Sequence, residues 1–208
     1  MATALLLTSC GGGDDDETDE IQGVETGEET TEEPTEEPAE TPTEEAEGRP
    51  TVDFGDDYRN VYEDTTTDDA TVDAIIRDLQ GFQDAQDEAI VSFQSNRPAL
   101  RYYIAGAALD RTIRMLDDIY EGGLSSGGTS RYYRFDVTVL EDQEGAATFS
   151  FCRDYTEVYT IDFASGEIVE EADGQALPDL YSGRLEQNAD GVWQTVDYGF
   201  TEGAPECQ

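Results

Sequence analysis

Residues 180–200 read LYSGRLEQNADGVWQTVDYGF. Tyr181, Gly183 and Leu185 alternate with polar neighbours, and after Asn188-Ala189-Asp190-Gly191 the alternation resumes through Val196, Tyr198 and Phe200. A period of two on either side of an Asn/Asp/Gly-rich turn is the pattern of an antiparallel hairpin, because glycine tolerates the left-handed backbone that such turns need. Working back towards the N-terminus, VYTIDFASGEIV (158–169) is a second hairpin with Ser165-Gly166 at its tip. Ala147, Phe149 and Phe151 alternate in the same way, as do Tyr133, Phe135, Val137 and Val139 across the EDQEG turn. The stretch LSSGGTS (124–130) reads as a loop.

Upstream the period changes. Val72, Ile75, Ile76, Leu79, Phe82, Ile90 and Phe93 recur at three and four residues, one face of a helix. Asp68 and Asp69 stand at its start, where the orphan N–H groups and the helix dipole favour a carboxylate. Asn96-Arg97-Pro98 is read as its end. After a turn, PALRYYIAG, a second helix carries Leu109, Ile113, Leu116 and Tyr120 and stops at Gly122-Gly123. Helices first and a meander afterwards, with no strand–helix alternation, predict an α+β fold: N-terminal helices packed on one face of a curved antiparallel sheet, over residues 51–208.

Residues 11–50 are of another kind. TGEETTEEPTEEPAETPTEE lacks the apolar side chains that would offset the entropy of ordering, so the sequence predicts a disordered, self-repelling acidic tether. The whole chain has 50 acidic residues against 11 basic ones and no His. All 11 basic residues are Arg. Seventeen of the acidic residues and Arg49 lie in residues 1–50, leaving 33 acidic residues and ten Arg in 51–208. Nucleic acid is therefore excluded as a partner, since phosphate binding runs on Lys and Arg. The acidity and the absence of Lys together point to a salt-tolerant, GC-rich bacterial or archaeal source.

Without His there is no Ser-His-Asp or Cys-His catalytic set and no His-containing zinc site, and without Lys no phosphate loop of the GxxxxGK[ST] kind. No metal or cofactor is expected.

Leu7-Thr8-Ser9-Cys10 resembles the lipobox of bacterial lipoproteins, and the Gly11-Gly12-Gly13 and acidic run behind it resemble a mature lipoprotein's tether. The resemblance covers residues 1–10 and departs from the pattern in that MATALLL has no basic residue and is short for a signal. It implies lipid attachment at Cys10 and a place at the extracytoplasmic face of the cell membrane. With Cys10 so used, Cys152 and Cys207 remain and are expected to form a disulfide that pins the last strand to the sheet in an oxidising compartment, the alternative being two reduced buried thiols.

The order of elements, with Asp190, Gly191, Trp193 and Val196 in the last hairpin, resembles the NTF2-like (SnoaL, ketosteroid-isomerase-like) cone, and especially small actinobacterial lipoproteins of that superfamily. That likeness implies a cone whose mouth holds a small apolar molecule, with Tyr102, Tyr103, Tyr133 and Tyr159 as candidate lining and Asp136 or Asp154 beside them. The expected function is non-catalytic binding of a small ligand or an envelope partner. The alternatives are an isomerase, cyclase or hydratase using an Asp/Tyr pair, and a purely structural accessory domain.

Overall fold

The structure is a computed structural model and describes residues 48–208; Cys10, the lipobox and the tether up to residue 47 lie outside the described residues. Strand β1 (Tyr58–Tyr62) is followed by helices α1 (Ala70–Ser92), α2 (Pro98–Tyr103) and α3 (Gly106–Glu121). Strands β2 (Leu124–Val139), β3 (Ala146–Asp162), β4 (Ile168–Glu170), β5 (Asp179–Gln187) and β6 (Trp193–Thr201) come next, and a short 3-10 turn, Pro205–Cys207, closes the chain. The fold is α+β, a curved six-stranded sheet with the helices against it. The sheet runs β1-β2-β3-β5-β6, with β4 continuing beside the second half of β3.

Both hairpins read from the sequence form. β5 pairs with β6 from Leu180↔Thr201 to Gln187↔Trp193. At the turn between them Gly191 has a φ of 80°, which explains glycine there. The Asp69 carboxylate caps α1, accepting from the Thr71 and Val72 amides at 2.8 and 3.3 Å.

Four details depart from the sequence reading. First, a strand precedes the helices: β1 pairs parallel with β2, Tyr58↔Gly128 through Tyr62↔Tyr132. Five residues flanked by acidic turns carry too little pattern to announce a strand, and what orders them is the edge of β2. Second, residues 124–130 are not a loop but the first half of β2. Their small side chains are required by β3, because the Tyr159 ring covers Gly127 and a Cβ on Gly128 would lie 2.0 Å from the Glu157 carbonyl oxygen. Third, α1 ends at Ser92, before Asn96-Arg97-Pro98, capped by Phe93 in the left-handed conformation (φ 57°), and Pro98–Tyr103, read as a turn, is the helix α2 with Pro98 in its first turn. Fourth, Tyr133 is out of phase with Phe135. The register between Tyr133 and Asp136 is broken by a bulge at Arg134 (φ 54°), so Tyr132 is the inward residue before the bulge and Phe135 and Val137 those after it.

The core lies between α1 and the sheet. Phe82 meets Phe149 and Tyr198 edge-on, at 6.5 and 5.1 Å between centroids. From Phe149 an aromatic row runs through Phe151 and Tyr181 to Phe200 on the last strand. Gly81, in the middle of α1, is explained by Tyr103: a Cβ there would come within 2.4 Å of its ring. On the other face of the sheet, Cys152 is bonded to Cys207, with Cα atoms 5.6 Å apart, and packs with Ala204, Tyr133 and Leu180. The bridge ties the C-terminal turn, not β6 itself, to the middle of β3.

A sealed ion pair and an arginine-lined cavity

The candidate lining residues do not converge. Tyr102 and Tyr103 meet edge to face on α2, at 4.8 Å between centroids. Tyr103 is buried, and its hydroxyl takes Arg49 Nη1 at 3.2 Å. Tyr133 lies on the opposite face of the sheet and donates to the Cys207 carbonyl at 2.7 Å. Tyr159 lies over Gly127 towards the far end of β3. Asp136 is exposed, and Asp154 faces Arg131 at 3.6 Å and accepts from the Thr156 amide. No Tyr–Asp pocket is assembled from these six.

The carboxylates that do meet a tyrosine, Asp87 and Asp84, are ones the sequence did not single out. Asp87 on α1 is 2% exposed and accepts from Tyr132 Oη at 2.6 Å and from Arg153 Nη2 at 2.8 Å. Arg153 reaches it because it follows Phe149 and Phe151 at steps of two on β3, so its side chain enters the interior. The guanidinium also donates to Tyr58 Oη and Ser130 Oγ, both at 3.1 Å. The Tyr132 and Tyr155 rings flank it at 5.2 and 4.6 Å. Asn60 on β1 donates to Asp87 and to the neighbouring Asp84, at 3.0 and 2.9 Å, and Tyr62 donates to Asp84 at 2.6 Å.

The electrostatics follow from burial. Desolvation raises the Asp84 carboxyl to about 6, opposed by the bonds from Asn60 and Tyr62 and aided by repulsion from Asp87 and Glu88. Burial alone would lower Arg153, but Asp87 and the surrounding tyrosines hold it well above its ordinary value. Burial also raises Tyr132, with Arg153 opposing. A buried pair this fully hydrogen-bonded is costly to break, about 3–5 kcal/mol when one partner is removed. Its one sequence signal was Arg153 standing where the alternation called for an apolar side chain.

Cavities among the described residues open elsewhere. One, of about 220 Å³, lies along Asp57, Tyr58, Arg59 and Thr129. Another, of about 460 Å³, lies where the start of the described chain, α1, α2 and the β5–β6 turn meet, between Arg49, Arg77, Tyr102, Asp190 and Val192. Beside it the buried Asp78 carboxylate accepts the Trp193 amide at 2.9 Å and holds Arg49 at 2.5 Å. Arg49 is raised above its ordinary value, burial being outweighed by Asp78 and Tyr103. Among the described residues no helix is long and apolar enough to cross a membrane.

No family model and no curated protein matches the chain. Among solved structures, the intermembrane space region of the chloroplast protein ARC6 is similar at 13% identity and a TM-score of 0.48, covering 66% of this chain and 98% of its own. A protein from Catenulispora acidiphila in complex with S-DNPA is similar at 12% identity and 0.42, covering 62% of this chain and 93% of its own. A ketosteroid isomerase-like protein from Erwinia carotovora atroseptica is similar at 18% identity and 0.35, covering 64% and 92%. At these scores the likeness carries neither a family nor a function.

Proposed function

We propose that the chain is a lipid-anchored extracytoplasmic protein whose NTF2-like domain recognises a ligand or an envelope partner without turning it over. The observation that carries the non-catalytic part is the occupancy of the interior. The interior between α1 and the sheet is taken up by the chain's own Asp87–Arg153 pair, and Tyr132 beside it is fully buried. The aromatic row from Phe149 to Tyr181 fills the space alongside. Recognition then belongs to the surface of the domain. The anchored part of the reading draws on the lipobox-like Leu7-Thr8-Ser9-Cys10 and on the Cys152–Cys207 disulfide, a bond suited to an oxidising compartment.

The test is mass spectrometry of the N-terminal peptide after expression in a bacterium with lipoprotein processing. A diacylglycerol thioether on Cys10 is expected, and Cys10→Ser should release the protein from the membrane fraction. An unmodified, unprocessed Cys10 would overturn the anchor.

The isomerase-like alternative has one observation in its favour, the 2.6 Å contact of Asp87 with the Tyr132 hydroxyl. It predicts turnover of a β,γ-unsaturated ketosteroid that Asp87→Asn abolishes. Measured turnover of that kind would replace the non-catalytic reading.

A further inference from the structure

We propose that the cavity between Arg49, Arg77, Tyr102, Asp190 and Val192 is a binding site for a small ligand bearing a single carboxylate on an apolar body. The proposal rests on the non-catalytic reading and gives it a site. At about 460 Å³ the cavity has the size of a small-molecule site. Two of the chain's 11 cations line it, against Asp190 in the lining and Asp78 beneath, so cations and carboxylates balance there in a molecule of net charge −39.

Arg77 is half exposed, and its ionic contact among the described residues is a distant one, 4.0 Å to Asp78 Oδ1. That oxygen is already held by Arg49 at 2.5 Å. Among the described residues the Arg77 fork, which lines the cavity, is thus left with hydrogen-bonding capacity to spare. Arg49 Nε is buried with no hydrogen-bond partner among the described residues. Asp78, 1% exposed and fixed by the Trp193 amide, holds the Arg49 side chain in place before any ligand arrives. Guanidinium forks match the planar geometry of a carboxylate.

The rest of the lining narrows the class. Tyr102, braced edge-on by Tyr103, and Val192 give an apolar wall for the body of the ligand. Asp190 on the rim repels a second negative charge, which disfavours phosphates and dicarboxylates. A free aromatic acid and the C-terminal carboxylate of a peptide share this chemistry.

The experiment is a titration of the 15N-labelled full chain, followed by amide chemical shifts, with benzoate and with N-acetyl-Gly-Phe. Benzamide and N-acetyl-Gly-Phe amide serve as uncharged controls. Saturable shifts at Gly191, Val192 and Trp193 are expected from an acid and not from its amide. Arg77→Gln should weaken them about tenfold or more, the loss of a charge-assisted pair. The tighter of the two acids identifies the source. No shift at these residues, equal shifts from the amides, or unchanged binding in Arg77→Gln would overturn the site alone. Shifts at Tyr132 and Arg153 instead would show that ligand enters the interior, and would overturn both this site and the filled interior on which the non-catalytic reading rests.

Discussion

Asp84 sits beside the Asp87–Arg153 pair without a cation of its own, and burial raises its carboxyl from 3.8 to about 6. The folded chain therefore binds a proton more tightly than the unfolded one. The stability linked to this group is fully present below about pH 4 and is lost as pH rises through 6, roughly 2–3 kcal/mol in all. Urea unfolding between pH 4 and 7 should show this downward slope, and Asp84→Asn should flatten it and gain stability at pH 7. Gln83 is a second candidate for improvement. It is fully buried, and neither amide atom has a hydrogen-bond partner among the described residues. Gln83→Met removes two unsatisfied polar atoms at similar size, so it should stabilise by about 1–2 kcal/mol and raise the Tm by roughly 2–4 °C for each kcal/mol. At this scale the sequence spoke unevenly. The Asp69 cap was legible because its partners are two and three residues away. The Asp87–Arg153 contact spans 66 positions, and only the fold brings two such residues together.

Among the elements, β1, the first half of β2 and the bulge at Arg134 escaped a reading by periodicity, each because a neighbouring strand decides it. Gly127 and Gly128 look like loop residues until Tyr159 and Glu157 of β3 are placed against them. The hairpins and the two long helices were legible, since their period and punctuation are local. Gly81 shows the same tension inside α1. Alanine is the better helix former by about 1 kcal/mol, yet Gly81→Ala should destabilise, because its methyl group would meet the Tyr103 ring. A thermal melt of that variant gives the sign directly. The disulfide closes a loop of 55 residues, which the chain-entropy model values at about 4 kcal/mol. Reduction should lower the denaturation midpoint accordingly, and hydrogen exchange should accelerate first at residues 203–208.

Taken whole, the molecule carries a net charge of −39, and residues 51–208 remain acidic with 33 Asp and Glu against ten Arg. Self-repulsion of that size is screened by salt, with a Debye length of about 10 Å at 0.1 M and 3 Å at 1 M. The melting temperature should rise between low and molar NaCl, and a flat or falling profile would contradict a salt-adapted surface. Fold class was readable at this scale because helices and strands are segregated along the chain. The filled interior was not, because whether the space between helices and sheet is hollow depends on side-chain volumes and pairings that no periodicity records.

The parallel pairing of Tyr58 with Gly128 also sets an order in time. Helices and neighbouring hairpins can form from contacts close along the chain, whereas β1 must wait for β2, 70 positions away, to present an edge. Strand β1 is then expected to dock last in folding and to leave first in unfolding. Tyr58→Phe, which removes a buried hydroxyl bonded to Ser130 and Arg153, should speed unfolding several-fold and leave the refolding rate almost unchanged in stopped-flow measurements.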